Sequence, residues 1–222
     1  MKNEFEAYYV GHLGKPSSHL DYFQKNVSAS MTPYILEERE MRATQMDIFS
    51  RLMQDRLIWI AGPVEDRMAT IIQAQLMFLD STNKTDVIIH VDTPGGSVKA
   101  GLSIVDVMDY IACDVSTVNT GMAASMGSVI LGAGTKGKRS MLRFSKTMLH
   151  QSSGGAYGNI QDAEITMKEW LKTNDTLFEL LGGYCNKPAE KVKEDASRDL
   201  WLDANESLSY GIVDKIIQTK KK

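Results

Sequence analysis

The chain has 222 residues, 43% of them hydrophobic and 24% charged, with a formal net charge of -3. That composition fits one globular domain with at most a small appendage and excludes an intrinsically disordered chain. It supplies no basic field for nucleic acid, and no apolar run approaches the ~20 residues that a membrane span needs.

Residues 1–30 are polar and show no sustained period. They carry Gly11, Gly14, Pro16 and Ser17-Ser18, and read as a leader or flexible arm ahead of a folded domain over 31–222. The first six residues lack the apolar core of a secretory signal. Residues 31–45 read as a short extended piece and a charged loop, Glu37-Glu38-Arg39-Glu40. A helix is expected from near Met46, with Ile48, Phe49, Leu52 and Met53 at helical spacing. Strands and helices then alternate. Leu57 to Ile60 is a strand, Met68 to Leu79 a helix, Val87 to Val91 a strand, and Val98 to Ile111 a helix. Val115 to Val118 is a strand, and a helix opens after Ser125. Thr147-Met148-Leu149-His150 is a short strand leading into a glycine-rich loop. A long helix from about Ile160 to Leu181 should stop at Gly182-Gly183, and Pro188 starts another. A helix over Ala204–Tyr210 and a strand over Ile212–Ile217 complete the series. Repeated βα units of this kind imply helices packed on a mostly parallel sheet.

The chemistry centres on Gly121-Met122-Ala123-Ala124-Ser125-Met126-Gly127. A strand, a tight turn of small residues and a helix put Ser125 at a helix N-terminus, among free N–H groups and the positive end of a dipole. Ala-x-Ser-x-Gly is one residue away from a nucleophile elbow, and a simple N-cap is the bland reading. A nucleophilic serine needs a base and the base an orienting carboxylate. Of four histidines, His12 and His19 lie in the leader, His90 sits inside a strand, and His150 closes one. Strand ends are where catalytic groups are displayed, so His150 is the candidate base. Arg198-Asp199-Leu200-Trp201-Leu202 places Asp199 at the entry to an apolar run, where a carboxylate can be buried against a histidine; a helix cap is the alternative. The N–H after the serine, of Met126, and the turn Pro94-Gly95-Gly96 offer oxyanion donors. Gly132 to Arg139 almost spells a phosphate loop, but Arg139 stands where the Mg²⁺-binding hydroxyl belongs, so it reads as a turn. Cys113 and Cys185 lie in no ligand-spaced motif, which points to a reducing, cytoplasmic setting.

From about Met31 to Ile217 the chain resembles the proteolytic subunits of the Clp protease, the ClpP family of self-compartmentalised serine peptidases. The resemblance rests on Gly62 to Asp66, Thr93 to Val98, Gly121 to Gly127, Gly134 to Arg139, Met148-Leu149-His150-Gln151, Arg198 to Leu202, and Glu206 to Asp214. It implies an α/β, crotonase-like spiral of ββα units with a protruding handle from Gln151 to Leu181. It implies Ser125 as nucleophile, His150 as base, Asp199 as orienting acid, and the N–H groups of Gly96 and Met126 as the oxyanion hole. It further implies two stacked heptameric rings, fed with unfolded proteins by an AAA+ Clp unfoldase. ATP then belongs to the partner, and this chain needs no cofactor or metal. The unfoldase docking pocket is usually aromatic; here Ile88 and His90 take two of its places and Tyr110 a third. Many members lose an N-terminal propeptide, a fate open to residues 1–30. Two other readings share some features: a crotonase-type acyl-CoA enzyme, and a catalytically silent subunit of a mixed ring. Neither needs Ser125, His150 and Asp199 together.

Overall fold

The structure is a computed structural model that describes residues 34–39, 42–154 and 158–218. The leader expected over 1–30 lies outside the described residues. The chain divides into two compact units, Met1–Leu52 and Met53–Lys222.

In the first unit, β1 (Tyr34–Arg39) and β2 (Arg42–Asp47) pair antiparallel, from Tyr34 opposite Asp47 to Arg39 opposite Arg42. The charged stretch expected as a loop is therefore largely strand. Ladder hydrogen bonds satisfy the backbone whatever the side-chain charge, so composition alone misreads such a ribbon. Helix α1 (Ile48–Gln54) begins here, where the Asp47 carboxylate accepts from the N–H groups of Phe49 and Ser50 at 3.0 Å.

The second unit carries a seven-stranded sheet with the path β3-β4-β5-β6-β9; β7 pairs with β5, and β8 with β7. The strands are β3 (Leu57–Ala61), β4 (Val87–Thr93), β5 (Val115–Ala124), β6 (Arg139–Leu142), β7 (Lys146–Leu149), β8 (Leu200–Leu202) and β9 (Lys215–Ile217). Every pair in this sheet is parallel except β7 with β8. β5 is long enough to serve two neighbours. Thr117–Asn119 pair with β6, and Met122–Ala124 pair with β7.

The helices follow from apolar stripes. α2 (Asp66–Thr82) buries Ala69, Ile72, Leu76 and Leu79, and α3 (Val98–Tyr110) buries Ala100, Ile104, Val105 and Met108. Both stripes have the helical spacing that presents one face to the core. They join Ile58, Ile60, Val87, Ile89 and Val91 from the alternate positions of β3 and β4 in one cluster. α4 (Met126–Gly132) is buried throughout. Gly132 to Lys138 carries the chain from α4 into β6, a setting unlike a phosphate loop, which follows a strand and opens a helix.

α5 (Ile160–Cys185) runs through Gly182-Gly183 instead of stopping there. Its stop is Asn186, at φ 55° and ψ 44° in the left-handed region. A Cβ on Gly182 would lie 2.8 Å from the Lys187 carbonyl oxygen, so that glycine serves close packing of the following turn rather than termination. α6 (Ala189–Asp195) follows, with Pro188 as its N-cap, and α7 (Ala204–Tyr210) opens on a capping box of Asp203 and Glu206. The last strand is shorter than expected, because Ile212 and Val213 are buried ahead of β9 rather than within it.

One ion pair closes the fold. Asp214 accepts from Arg139 Nε at 2.9 Å and Nη2 at 2.6 Å, and from the backbone N–H groups of Arg139 and Gly137. Arg139 Nη1 donates to the Tyr184 carbonyl of α5 at 2.9 Å. The Arg139 side chain is only 4% exposed, so it depends on these acceptors. Burial pushes the Asp214 carboxyl up, but the Arg139 hydrogen bonds prevail and hold it below the usual carboxylate range.

Candidate active site

The site is built on strand ends. β5 closes at Ala124, and the Ser125 N–H donates to the Met148 carbonyl of β7 at 2.9 Å. Ser125 therefore sits beside the end of β7, which is where His150 leaves the sheet. Across β7, Leu149 lies opposite Leu200 of β8. Continuing that antiparallel register by one residue sets His150 against Asp199. Three segments far apart in the chain thus deliver their side chains to one edge.

The distances follow. His150 Nε2 is 2.8 Å from Ser125 Oγ, and His150 Nδ1 is 3.3 Å from Asp199 Oδ1. Ser125 adopts φ 54° and ψ -121°, a conformation that costs a non-glycine residue about 1–3 kcal/mol. Its carbonyl is pinned by Ser128, whose N–H donates at 2.9 Å and whose Oγ donates at 2.7 Å. The strain turns the hydroxyl out toward His150 at the start of α4.

Asp199 departs from expectation in one respect. It stands beside the imidazole, but its side chain is 61% exposed rather than buried. It precedes β8, whose sheet neighbour among the described residues is β7.

Gly96, one candidate oxyanion donor, is placed by the β4–α3 turn. Val64 N–H donates to the Gly95 carbonyl, and Ser97 N–H donates to the Val64 carbonyl. Gly96, between them, forms a parallel bridge with Val64, so its own N–H faces away from Val64, toward the β5 side. Gly95 lies directly against the serine turn. A Cβ there would come 2.7 Å from Ser125 Cβ and 2.9 Å from Met126 N, at a φ of +91°. The Met126 N–H is the first of α4 and has no intrahelical acceptor.

An apolar pocket adjoins Ser125 and His150, walled by Val98, Met126, Val129, Leu177, Phe178 and Leu181. Two residues missed by the sequence reading brace the site. Thr93 Oγ1 accepts from Gly95 N–H at 3.0 Å and donates to the Gly62 carbonyl at 2.6 Å. Its position two residues before a glycine is the signature of a hydroxyl-closed turn. Ser128, three residues after Ser125, is the other.

Of the residues expected at a docking surface, two lie on β4 and one ends α3. Ile88 and His90 share one face of β4, half-buried, where the His90 ring stacks on Trp59 at 4.5 Å between centroids. His90 Nδ1 is buried without a hydrogen-bond partner among the described residues, and burial pushes the imidazole pKa down. Tyr110 ends α3 and is 78% exposed. Among the described residues no group of three or more His, Cys, Asp or Glu is arranged to hold a metal ion. Among them, too, no helix is long and apolar enough to cross a membrane.

The comparisons with known proteins agree on one family. The family model described as Clp protease matches residues 38–220. The chain belongs to the Clp protease family. It is 46% identical over 221 residues to an "ATP-dependent Clp protease proteolytic subunit" of Porphyromonas gingivalis, covering 99% of this chain and 100% of that one. A Bacteroides fragilis protein of the same name is 44% identical over 219 residues, covering 98% of this chain and all of its own. A Streptococcus salivarius relative, also so named, is 48% identical over 190 residues, or 84% of this chain and 97% of its own. As a Clp protease, the chain is a proteolytic subunit and a serine endopeptidase with the mixed α/β fold of that family. A crotonase-type acyl-CoA enzyme is thereby set aside.

Proposed function

We propose that Ser125, His150 and Asp199 form the catalytic triad of this Clp protease, with the N–H groups of Gly96 and Met126 receiving the oxyanion. The observation that carries the reading is the 2.8 Å separation of His150 Nε2 from a serine hydroxyl held on a strained strand-to-helix turn. Neutral His150 takes the hydroxyl proton as Ser125 Oγ attacks the peptide carbonyl. The carbonyl oxygen becomes an oxyanion and is received by the two N–H groups. Imidazolium then gives its proton to the leaving amine, which leaves an acyl ester on Ser125. Water, activated by the same ring, hydrolyses the ester and restores the serine. Asp199 Oδ1 keeps the ring tautomer correct and stabilises the imidazolium. The apolar walls of the narrow pocket beside Ser125 favour an apolar side chain just before the cut, provided the pocket widens on binding.

The proposal extends to assembly and partners. The substrates are unfolded polypeptides. The working form is two stacked heptameric rings of this chain in the cytoplasm, with ATP spent by an AAA+ Clp unfoldase and no cofactor held here. Ile160, Ile165, Met167 and Leu171 are exposed on α5 and supply apolar surface for contact between rings. Ile88, His90 and Tyr110, with the hollow lined by Thr120, Leu142, Phe144 and Ile217, supply surface for the unfoldase. The alternative of a silent subunit is disfavoured by the intact Ser125–His150 contact.

The experiment is labelling of the assembled protein with a fluorophosphonate probe. Wild type should be labelled at Ser125, and Ser125→Ala should neither label nor cleave peptides, a loss of roughly 10⁶ in turnover. Cleavage that survives in Ser125→Ala rejects the triad.

A further inference from the structure

His150 is held unequally on its two sides. Before it, β7 is laddered to β5 and β8. After it, residues 151–154 belong to no strand. The first fixed point is Ser152. Its N–H and its Oγ–H both donate to Oδ1 of Asn174, at 3.0 and 2.9 Å. Trp170 Nε1 donates to the same Ser152 Oγ at 2.9 Å. Trp170 and Asn174 lie one turn apart on α5, so one helix face grips the chain two residues beyond the base.

The grip has an unusual address. Asn174 is the first buried residue of α5, and the stripe it opens continues as Leu177, Phe178 and Leu181. A polar side chain at the head of an apolar stripe is costly unless its hydrogen bonds are made. Here the amide oxygen makes two. The residues that follow in the stripe wall the pocket beside Ser125, and Ser152 lines it too. One helix therefore fixes the backbone behind the base and the wall of the substrate pocket together.

We propose that Asn174, acting through Ser152 and supported by Trp170, is a positioning residue for His150. The proposal rests on His150 being the general base. Without the grip, residues 151–154 are free to shift and carry the imidazole off the Ser125 hydroxyl. A misplacement near 1 Å can cost about 10² in rate.

The test uses the assembled full-length protein with a fluorogenic peptide that ends in an apolar residue before the scissile bond. Asn174→Leu keeps the branched outline of the side chain and removes the acceptor. Its kcat should fall by about 10² while KM stays close to wild type, and fluorophosphonate labelling should slow in parallel. Asn174→Asp keeps an acceptor oxygen for both Ser152 donors and should recover most of the rate. Native mass and thermal midpoint are recorded alongside. Wild-type kcat in Asn174→Leu overturns the proposal, as does an equal loss in Asn174→Leu and Asn174→Asp. If Asn174→Leu fails to assemble, Ser152→Ala decides. It retains Asn174 and the backbone donor, and a kcat equal to wild type there also overturns the proposal. Ser125→Ala is the control. If it is silent while Asn174→Leu is fully active, only the positioning role fails. If it still cleaves, the triad reading has failed instead.

Discussion

Leu149 pairs with Leu200 across β7 and β8, and that one register brings His150 within 3.3 Å of Asp199. The two catalytic candidates are neighbours because their preceding and following leucines are ladder partners. Asp199 needs no burial for this, and its side chain remains 61% exposed.

Asp199→Asn should therefore fold normally and lose turnover. The amide can still meet the ring but favours the wrong tautomer and no longer stabilises imidazolium. In the serine-protease precedent the loss is about 10⁴; the exposure of Asp199 should make it smaller here, within the ~10²–10⁴ that a positioned acid–base group contributes. Steady-state kcat with an unchanged circular-dichroism spectrum checks this. Turnover within a factor of two of wild type assigns the orienting role to another group.

Gly95→Ala should damage the site at its base. The new Cβ would meet the Ala124 carbonyl oxygen at 2.6 Å and Ser125 Cβ at 2.7 Å, and φ is +91°. Left-handed backbone alone costs an L-residue roughly 1–2 kcal/mol. The expected result is a lowered urea midpoint together with slower fluorophosphonate labelling of Ser125. An unaffected labelling rate would show that this turn does not shape the nucleophile.

How much of this was readable beforehand divides along physical lines. Ser125, His150 and the αβ alternation announce themselves locally, through small residues around a serine, a histidine at a strand end, and stripes such as Ile72–Leu76–Leu79. The β1–β2 ribbon did not, because its pairing is made by backbone and its sequence is charged. β6 and β8 are four and three residues long, too short to show a period. The end of α5 was misplaced because a glycine pair that normally signals a stop is used here for close packing with the next turn. Asn174 gave a faint signal, one polar residue in an apolar stripe, whose meaning depends on Ser152 being folded against it.

Asp214→Asn should destabilise the fold rather than the chemistry. It leaves the Arg139 guanidinium, 4% exposed, without its counter-charge, a loss of about 3–5 kcal/mol for a broken buried pair. The pH dependence has a definite sign. The Asp214 carboxyl is held below its ordinary range in the folded chain, so its contribution is present above the ordinary carboxylate value and lost as pH falls through the lowered one. Urea midpoints measured from neutral to acid should fall for wild type, and the variant should lack part of that limb. Identical acid limbs would show that this pair does not govern acid stability.

Residues 1–30 carry the remaining prediction, motivated by their composition. If the proposed rings enclose the active sites and residues 1–30 reach inside, they meet those sites at high effective concentration. Self-cleavage is expected between about Asn26 and Thr32, where Ser28-Ala29-Ser30-Met31 offers small residues. Intact mass spectrometry should find the arm lost from wild type and kept by Ser125→Ala. An arm present in both after assembly makes it a permanent part of the protein.

Asp199, the candidate orienting carboxylate, rides on a short tether. β8 is three residues long and has β7 as its sheet neighbour, whereas Ser125 is rooted in a ten-residue strand paired on both sides. Regions with few ladder bonds open locally at far lower free energy than the whole fold. Ser125 and Asp199 therefore belong to different stability classes within one candidate site. Fraying of β8 would remove Asp199 from the ring and leave the core, the pocket and the serine turn in place. Such a protein would pass any test of folding and still be idle, so mild heat or denaturant should silence the enzyme before it unfolds.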